Sequence, residues 1–408
     1  MKILGIETSC DETGAAIIEA KPGNKKVKLL SNIVTSSLIL HSKTGGIIPE
    51  IAAREQVKYI IPVIEEALRT RHSGKRRGAP DGASRAHPES LRTIGDSGQA
   101  RMTNIDAIAV TVGPGLIGSL LVGVETAKTL SYVWQKPIIP VNHLIGHIYA
   151  NFVDPEITLN LSLRAKRSNL NGIATSSRSV DMNVTPRNDK ITFPALALIV
   201  SGGHTDLVLV RKHGSIKWLG GTRDDAAGEA FDKIGRLLGL PYPGGPAIEN
   251  TSERGDASRF HFPRPMIDSK DFDFSFSGLK TAVSRHVILN KVKNPRDPSA
   301  SPQDDIILSN ICASVQQAVI DVLLAKTLKA AQKYKVKSIL LGGGVAANQK
   351  LRDQFALEIR NLKLEILLSV PQKYLCTDNG AMIATAAFFN YKPVPWPKLT
   401  ANPELYFD

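Results

Sequence analysis

Cysteine is scarce in this chain. Cys10, Cys312 and Cys376 are the only three, odd in number and without a CxxC spacing. That argues against a disulfide framework and suits a reducing compartment. Long apolar runs are wanting too, with no stretch that approaches the roughly 18–20 residues of a membrane span. The amino terminus, Met1-Lys2-Ile3-Leu4-Gly5-Ile6-Glu7, enters a strand pattern at once. It has neither the apolar core of a signal peptide nor the Arg- and Ser-rich look of a transit peptide. A cytoplasmic protein with no membrane anchor is expected.

Acidic residues are outnumbered, 38 Asp and Glu against 51 Lys and Arg, which leaves a net charge of +13. Such an excess invites a nucleic-acid reading, but its distribution weakens that inference. Segments 71–101 and 158–190 each carry about +4, and both are aperiodic and rich in small polar residues and Arg. They read as insertions, either solvated excursions or basic loops that touch RNA. The rest is ordinary globular composition, and 408 residues suffice for two or three domains with sizeable cores.

Two stretches share one logic. Residues 2–7 read as a strand, 8–14 as a polar turn with hydroxyls and the carboxylates of Asp11 and Glu12, and 15–19 as a returning strand. Residues 193–200, the tip Ser201-Gly202-Gly203-His204-Thr205 and residues 206–210 repeat it. Two such hairpins, each opening a half of the chain, suggest a duplicated fold around a cleft. Apolar spacing at Val57, Ile60, Ile61, Ile64 and Leu68 predicts a core-facing helix over 51–68 after a loop at 41–49. The strand 105–112 leads through Gly113-Pro114-Gly115-Leu116-Ile117-Gly118 into a helix over 119–134. Those glycines serve either an anion at the helix start or close helix–strand packing. A helix over 225–238 places Asp225, Glu229 and Asp232 on one face, either solvated or turned to hydroxyls in a cleft. A long helix spans 306–333, and Gly342-Gly343-Gly344-Val345-Ala346-Ala347-Asn348 follows the strand 337–341. Backbone that close to a ligand needs glycine, and Asn348 can bond a hydroxyl or a ring edge.

Asn142-His143-Leu144-Ile145-Gly146-His147 follows a short Pro-bounded strand, and Asn142 is a good helix N-cap. Histidines four residues apart on a helix share one face, roughly 5–6 Å apart at Cβ, a separation that lets two imidazoles hold one metal. Two unrelated helix histidines are the plainer alternative. Asp378 stands where the dipole of the next helix favours a carboxylate, with or without a metal.

Taken together, these motifs closely resemble one family. Gly5-Ile6-Glu7-Thr8-Ser9-Cys10-Asp11-Glu12-Thr13, Asn142 to His147, Ser201 to Thr205, Asp224-Asp225-Ala226-Ala227-Gly228-Glu229-Ala230-Phe231-Asp232, Phe274-Ser275-Phe276-Ser277-Gly278-Leu279-Lys280-Thr281, Gly342 to Asn348 and Cys376-Thr377-Asp378-Asn379-Gly380 occur in the order of the tRNA N6-adenosine threonylcarbamoyltransferases (TsaD, formerly the glycoproteases). The resemblance runs from residue 1 to about 390. It implies an α/β fold of the actin/hexokinase/Hsp70-like (ASKHA) kind, two ribonuclease-H-like lobes around a cleft. Lobe I would be 1–140 plus about 373–408, with insertion 71–101, and lobe II 141–372, with insertion 158–190. It further implies His143, His147 and Asp378 as ligands of one divalent metal, Fe(II) by family with zinc possible. Ile199, Val200, Ser201, Gly202, Gly203, Asp232, Gly245 and Asn348 would hold threonylcarbamoyl-adenylate, and Asp11 and Glu12 would serve transfer to tRNA. A paralogous binding subunit (TsaB-like) and a small ATPase (TsaE-like) are the implied protein partners. Two departures stand out. Gln56 occupies a position where the family commonly has histidine, and segments 71–101 and 158–190 lack a counterpart in the family pattern.

The chemistry is consistent with that resemblance. An adenine amino group is a poor nucleophile because its lone pair is delocalised, so the donor must be an activated anhydride. The protein then has to place the donor, neutralise the leaving phosphate and accept one proton. Asp11 is the preferred base and Glu12 the next. Other readings are a non-catalytic scaffold of the same fold, a kinase of the superfamily, or a metalloprotease. The last lacks its HExxH general base, because Gly146 precedes His147.

Overall fold

A computed structural model describes residues 1–69, 105–154, 191–289 and 302–407. Segments 71–101 and 158–190 lie outside the described residues. All three cysteines are free.

Two five-stranded sheets repeat one topology. The first contains β1 (Lys2–Glu7), β2 (Glu12–Glu19), β3 (Lys28–Ser36), β4 (Ala107–Gly113) and β5 (Ile138–Asn142), in the order β3-β2-β1-β4-β5. The second contains β6 (Ala195–Val200), β7 (Thr205–Lys212), β8 (Ser215–Gly221), β9 (Ser338–Gly342) and β10 (Leu367–Ser369), in the order β10-β9-β6-β7-β8. In each sheet the first three strands form an antiparallel meander, and the last two join the first strand in parallel. The duplication expected from the two hairpins is therefore present at the level of whole sheets.

Period-2 alternation sends the two faces of each sheet to different cores. On β6, Leu196, Leu198 and Val200 face helices α5 (Ala227–Leu237), α7 (Ser277–Leu289), α8 (Pro302–Lys333) and α9 (Gln349–Asn361). Its Ala195, Ala197 and Ile199 join a central cluster with Ala107 and Ala109 of β4. That cluster encloses α4 (His143–Tyr149) and α11 (Gly380–Phe389), so both helices lie against inner faces of the two sheets. On the outer face of the first sheet, Ile108, Val110 and Val112 pack with α2 (Pro49–Arg69) and α3 (Ile117–Trp134). The short α1 (Leu38–Thr44), α6 (Gly244–Ser252) and α10 (Lys373–Cys376) complete the helices used below.

Several sequence expectations are revised here. Part of the loop expected at 41–49 belongs to α1, and His41 is fully buried. Val57 and Ile61 of α2 are 63% and 49% exposed, and the buried stripe runs instead through Ala52, Gln56, Ile60, Val63, Ile64 and Ala67. Helix α5 starts at Ala227, two residues after Asp225, because Thr205 Oγ1 on β7 accepts the Ala227 N–H at 2.9 Å and caps it from another element. The glycines of the turn after β4 serve packing. A Cβ on Gly113 would lie 1.8 Å from Asn402 O, and one on Gly115 would lie 2.5 Å from Ser9 O. Among the described residues one helix, α8, is long and apolar enough by length and composition to cross a membrane, contrary to the expectation of no such run. Two-thirds of its most apolar window is buried inside the fold, which accounts for its composition as a core helix.

Helix α11 approaches β1 unusually closely. A Cβ on Gly5 would fall 2.1 Å from Gly380 O and 2.7 Å from Ala384 N, both backbone atoms. Gly5→Ala is therefore expected to destabilise the fold by about 3 kcal/mol or more, whereas Gly278→Ala, whose nearest neighbour would be Pro265 at 4.0 Å, is expected to change stability by less than about 0.5 kcal/mol. Chemical denaturation of the two variants checks both.

Candidate metal centre

The three candidate ligands come from two places in the chain, the helix α4 and the link between α10 and α11. Asn142, the last residue of β5, caps α4, its Oδ1 accepting from Leu144 N at 2.8 Å and Ile145 N at 3.2 Å. That cap fixes the first turn and points His143 and His147 to the same side. Their rings lie 4.6 Å apart, edge to face. Asp378, in the link between α10 and α11, brings Oδ1 to 3.5 Å from His143 Nε2 and 3.3 Å from His147 Nε2. One ligand atom from each residue falls within 4.8 Å of the others.

The donor set fits a cation. His147 is 1% exposed, and neither of its ring nitrogens has a hydrogen-bond partner with acceptable geometry. A buried orphan nitrogen is costly unless something outside the chain engages it. Burial alone would lower the His143 pKa, but the carboxylates of Asp378 and Glu7 hold it up, to about 9. Burial lowers that of His147. Burial would raise the Asp378 carboxyl, yet His143 and His147 pull it below the usual range. His204 is also near, and burial followed by the two histidines pushes it down to about 4.

Glu7 is the residue that sequence reasoning missed. It ends β1 with 0% exposure. Its Oε2 lies 3.2 Å from His143 Nδ1 and accepts from Thr111 Oγ1 at 2.5 Å, while its Oε1 accepts from Ser9 N at 2.6 Å. Ser9 Oγ also lies 3.1 Å from His143 Nδ1. A carboxylate behind a ligating imidazole keeps Nδ1 protonated and leaves Nε2 to the metal. The available signal was a lone acid closing an otherwise apolar buried strand.

Asp11 and Glu12 sit at the turn between β1 and β2. Glu12 has its pKa raised well above the normal range, by burial first and then by the charges of Asp11 and Asp378 and a hydrogen bond with Asp11. Glu12 is thus near enough to Asp378 to feel its charge. The chain after β6 folds as a tight tip, with Ser201 N donating to His204 O at 2.8 Å and Gly228 N to Ser201 O at 3.1 Å. Ile199 and Val200 are fully buried strand residues that anchor this tip. A Cβ on Gly342 would lie 2.7 Å from His147 O, and one on Gly343 would lie 2.3 Å from Val200 O. The loop after β9 is thus wedged between the metal helix and β6.

Gly202, Gly203, Gly245 and Gly344 behave differently from these wedged glycines, because a Cβ at any of them meets nothing within 4 Å. The fold itself does not demand glycine there. Asp232 on α5 accepts from Gly244 N at 2.6 Å and so holds the start of α6 beside Gly245. Its companions Asp225 and Glu229 are both answered by Lys233, at 2.5 and 3.0 Å. Asn348 is 8% exposed, and its side chain is used within the fold. Its Oδ1 caps α9 at Leu351 N, 2.9 Å, and its Nδ2 donates to Gln316 Oε1 at 2.8 Å.

Known proteins resemble this chain over nearly its whole length. The family model described as tRNA N6-adenosine threonylcarbamoyltransferase (TsaD) matches residues 28–76, 78–173 and 176–385. Those stretches take in 71–76, 78–101, 158–173 and 176–190, so the family model covers nearly all of the two segments that were expected to lack a counterpart, and that expectation is corrected. A protein of that name from Thermomicrobium roseum is 43% identical over 407 residues, covering 95% of this chain and 92% of the relative. One from Bacillus subtilis is 43% identical over 389 residues, with 95% and 89% covered, and one from Staphylococcus haemolyticus 39% over 406, with 100% and 96% covered.

The role of Glu7 can be measured directly. Glu7→Gln is expected to weaken zinc(II) binding about 10- to 100-fold while leaving the fold intact, as followed by titration calorimetry with circular dichroism on the same preparation.

Proposed function

The chain belongs to the tRNA N6-adenosine threonylcarbamoyltransferase family, and from that premise we propose that it moves a threonylcarbamoyl group from threonylcarbamoyl-adenylate to N6 of the adenosine just 3′ of the anticodon in tRNAs reading ANN codons. The observation that carries this reading is the convergence of the buried His143 and His147 with Asp378 on one candidate metal site.

Each group has a task under this reading. His143, His147 and Asp378 hold one divalent metal, which when bound supplies Lewis-acid stabilisation of phosphate charge. The donors suit Fe(II), the family expectation, and zinc equally. Gly202 and Gly203 bring backbone N–H groups to the adenylate without a side chain in the way, and Ile199, Val200 and Ser201 place that tip. Asp232, oriented by the N–H groups of Gly244 and Gly245, is set to accept from a ribose hydroxyl beside Gly245. Asn348 fixes the rim between α8 and α9. Asp11 takes the proton from N6. Glu12, whose proton affinity is raised by burial and by the neighbouring charges of Asp11 and Asp378, is the second acid of the turn.

The repeated sheet topology supports the actin/hexokinase/Hsp70-like assignment, with lobe I as 1–140 plus about 373–408 and lobe II as 141–372. For partners, α2 and α3 pack together with Ala53 Cβ 3.3 Å from where a Gly118 Cβ would stand. This pair exposes Val57, Ile61, Ile117 and Leu121, an apolar set that supports docking of a paralogous subunit. A small ATPase would act with that pair. A cytoplasmic location follows from the tRNA substrate. Proteolysis gains no support, since Gly146 stands where a general base would be needed, and a Cβ there would already come within 2.8 Å of Ile383 Cδ1.

Incubation with threonylcarbamoyl-adenylate and unmodified tRNA is expected to yield modified nucleoside, and a chelator is expected to abolish it. No product without chelator, in a folded and metal-loaded preparation with its partner proteins, would overturn the reading. Asp11→Ala is expected to lower kcat by about 10²-fold or more while adenylate binding persists; near-normal turnover would remove Asp11 from the mechanism.

A further inference from the structure

We propose that Gln56 is a positioning residue for the transfer reaction, holding the β1–β2 turn so that Asp11 and Glu12 face the metal cluster. The proposal rests on the transfer reading above. Gln56 is the one polar side chain in the buried stripe of α2, with Ala52 and Ile60 as its neighbours one turn away. It is 1% exposed. Its Nε2 lies 2.9 Å from Cys10 O, 3.1 Å from Glu12 O and 3.2 Å from Thr8 O. Three alternate carbonyls of one turn therefore converge on a single amide nitrogen that carries two protons.

The rest of the turn is also held from outside itself. Leu116 N donates to Ser9 O at 2.8 Å, Ser119 Oγ to Cys10 O at 3.1 Å, and Ser37 Oγ to Asp11 O at 3.0 Å. Gln56 is the side chain that reaches Thr8 O and Glu12 O, the two ends of the segment. Its own Oε1 has no partner, so the turn alone dictates the orientation of the amide. A buried polar group at a core position, with half its capacity unused and the other half shared three ways, is poorly explained by packing. It is well explained by the need to keep a carboxylate-bearing turn in one conformation, since misplacement of a reacting group by about 1 Å can cost about 10²-fold in rate. The metal ligands and the glycine rim stand on other elements; the turn touches them through Ser9, whose Oγ lies 3.1 Å from His143 Nδ1 and whose backbone is held by Glu7 Oε1 and Leu116 N rather than by Gln56.

Gln56→Leu keeps the approximate volume and removes the donor. It is expected to speed hydrogen–deuterium exchange at residues 9–12 by about tenfold or more and to lower kcat by about 10²-fold, with zinc(II) affinity and KM for the adenylate within about twofold of the parent. In an Asp11→Ala background the same change is expected to alter kcat by less than about twofold, because the group it positions is gone. Gln56→His, which offers one ring N–H, should restore most of the activity and the protection. Should the leucine variant be insoluble, Gln56→Asn, one methylene too short to reach all three carbonyls, carries the same expectations. Unchanged exchange at residues 9–12 overturns the proposal, as does a kcat loss matched by equal losses of metal and adenylate binding or undiminished in the Asp11→Ala background. Exchange is read without turnover, so a parent protein that transfers nothing refutes the reaction while leaving the hold of Gln56 on the turn separately decided.

Discussion

Everything in the site depends on how closely α11 lies on the first sheet. Its backbone sits where the side chain of Gly5 would be, and a conventional helix-on-sheet separation would move Asp378 away from the histidines. Gly380, at the first position of α11, makes the reciprocal contact, with a Cβ there only 2.5 Å from Ala16 N. Gly146 does the same for α4, letting it slide against Ile383 and Met382. Glycines thus remove three side chains from the central layer, and the candidate metal ligands approach each other from residues more than two hundred apart in sequence.

That compression has an electrostatic consequence. Glu7, Asp11, Glu12 and Asp378 are gathered with His143, His147 and His204 in a region largely closed to water. Like charges so placed are costly to bury. Part of the cost is relieved internally, by the shift of Glu12 toward its protonated form and the ionic contacts of His143. The nitrogens of His147 are left without a hydrogen bond, and His143, His147 and Asp378 form a group that could hold a metal ion there. The turn at 8–12 is tied to this cluster at both ends, to His143 through Ser9 and Glu7 and to α2 through Gln56.

Much of this was legible residue by residue. The Asn142 cap, the shared face of His143 and His147 and the small-residue tip at Ser201–Gly203 depend on local backbone geometry, and the structure has each of them. Other elements escaped because their cause is not local. The start of α5 is set by Thr205 from a different strand, so Asp225 looked helical when it is not. The stripe of α2 could not be resolved between Val57 and Gln56, since hydrophobicity favours the former and only three distant carbonyls explain burial of the latter. Likewise the glycines after β4 looked equally suited to an anion, until Asn402 and Ser9 proved to occupy the space.

By itself, then, the order of motifs determined the family, the doubled hairpin plan and the residue types able to hold a metal and an adenylate, because these follow from short-range periodicity and from the chemistry of individual side chains. Only the tertiary structure decided which of those residues meet. It placed Asp378 against the histidines, put Glu7 behind His143 and turned the Asn348 side chain inward to Gln316 and the α9 cap. Distances between atoms far apart in the chain are set by how densely helices and sheets pack, and packing density is a property of the whole fold.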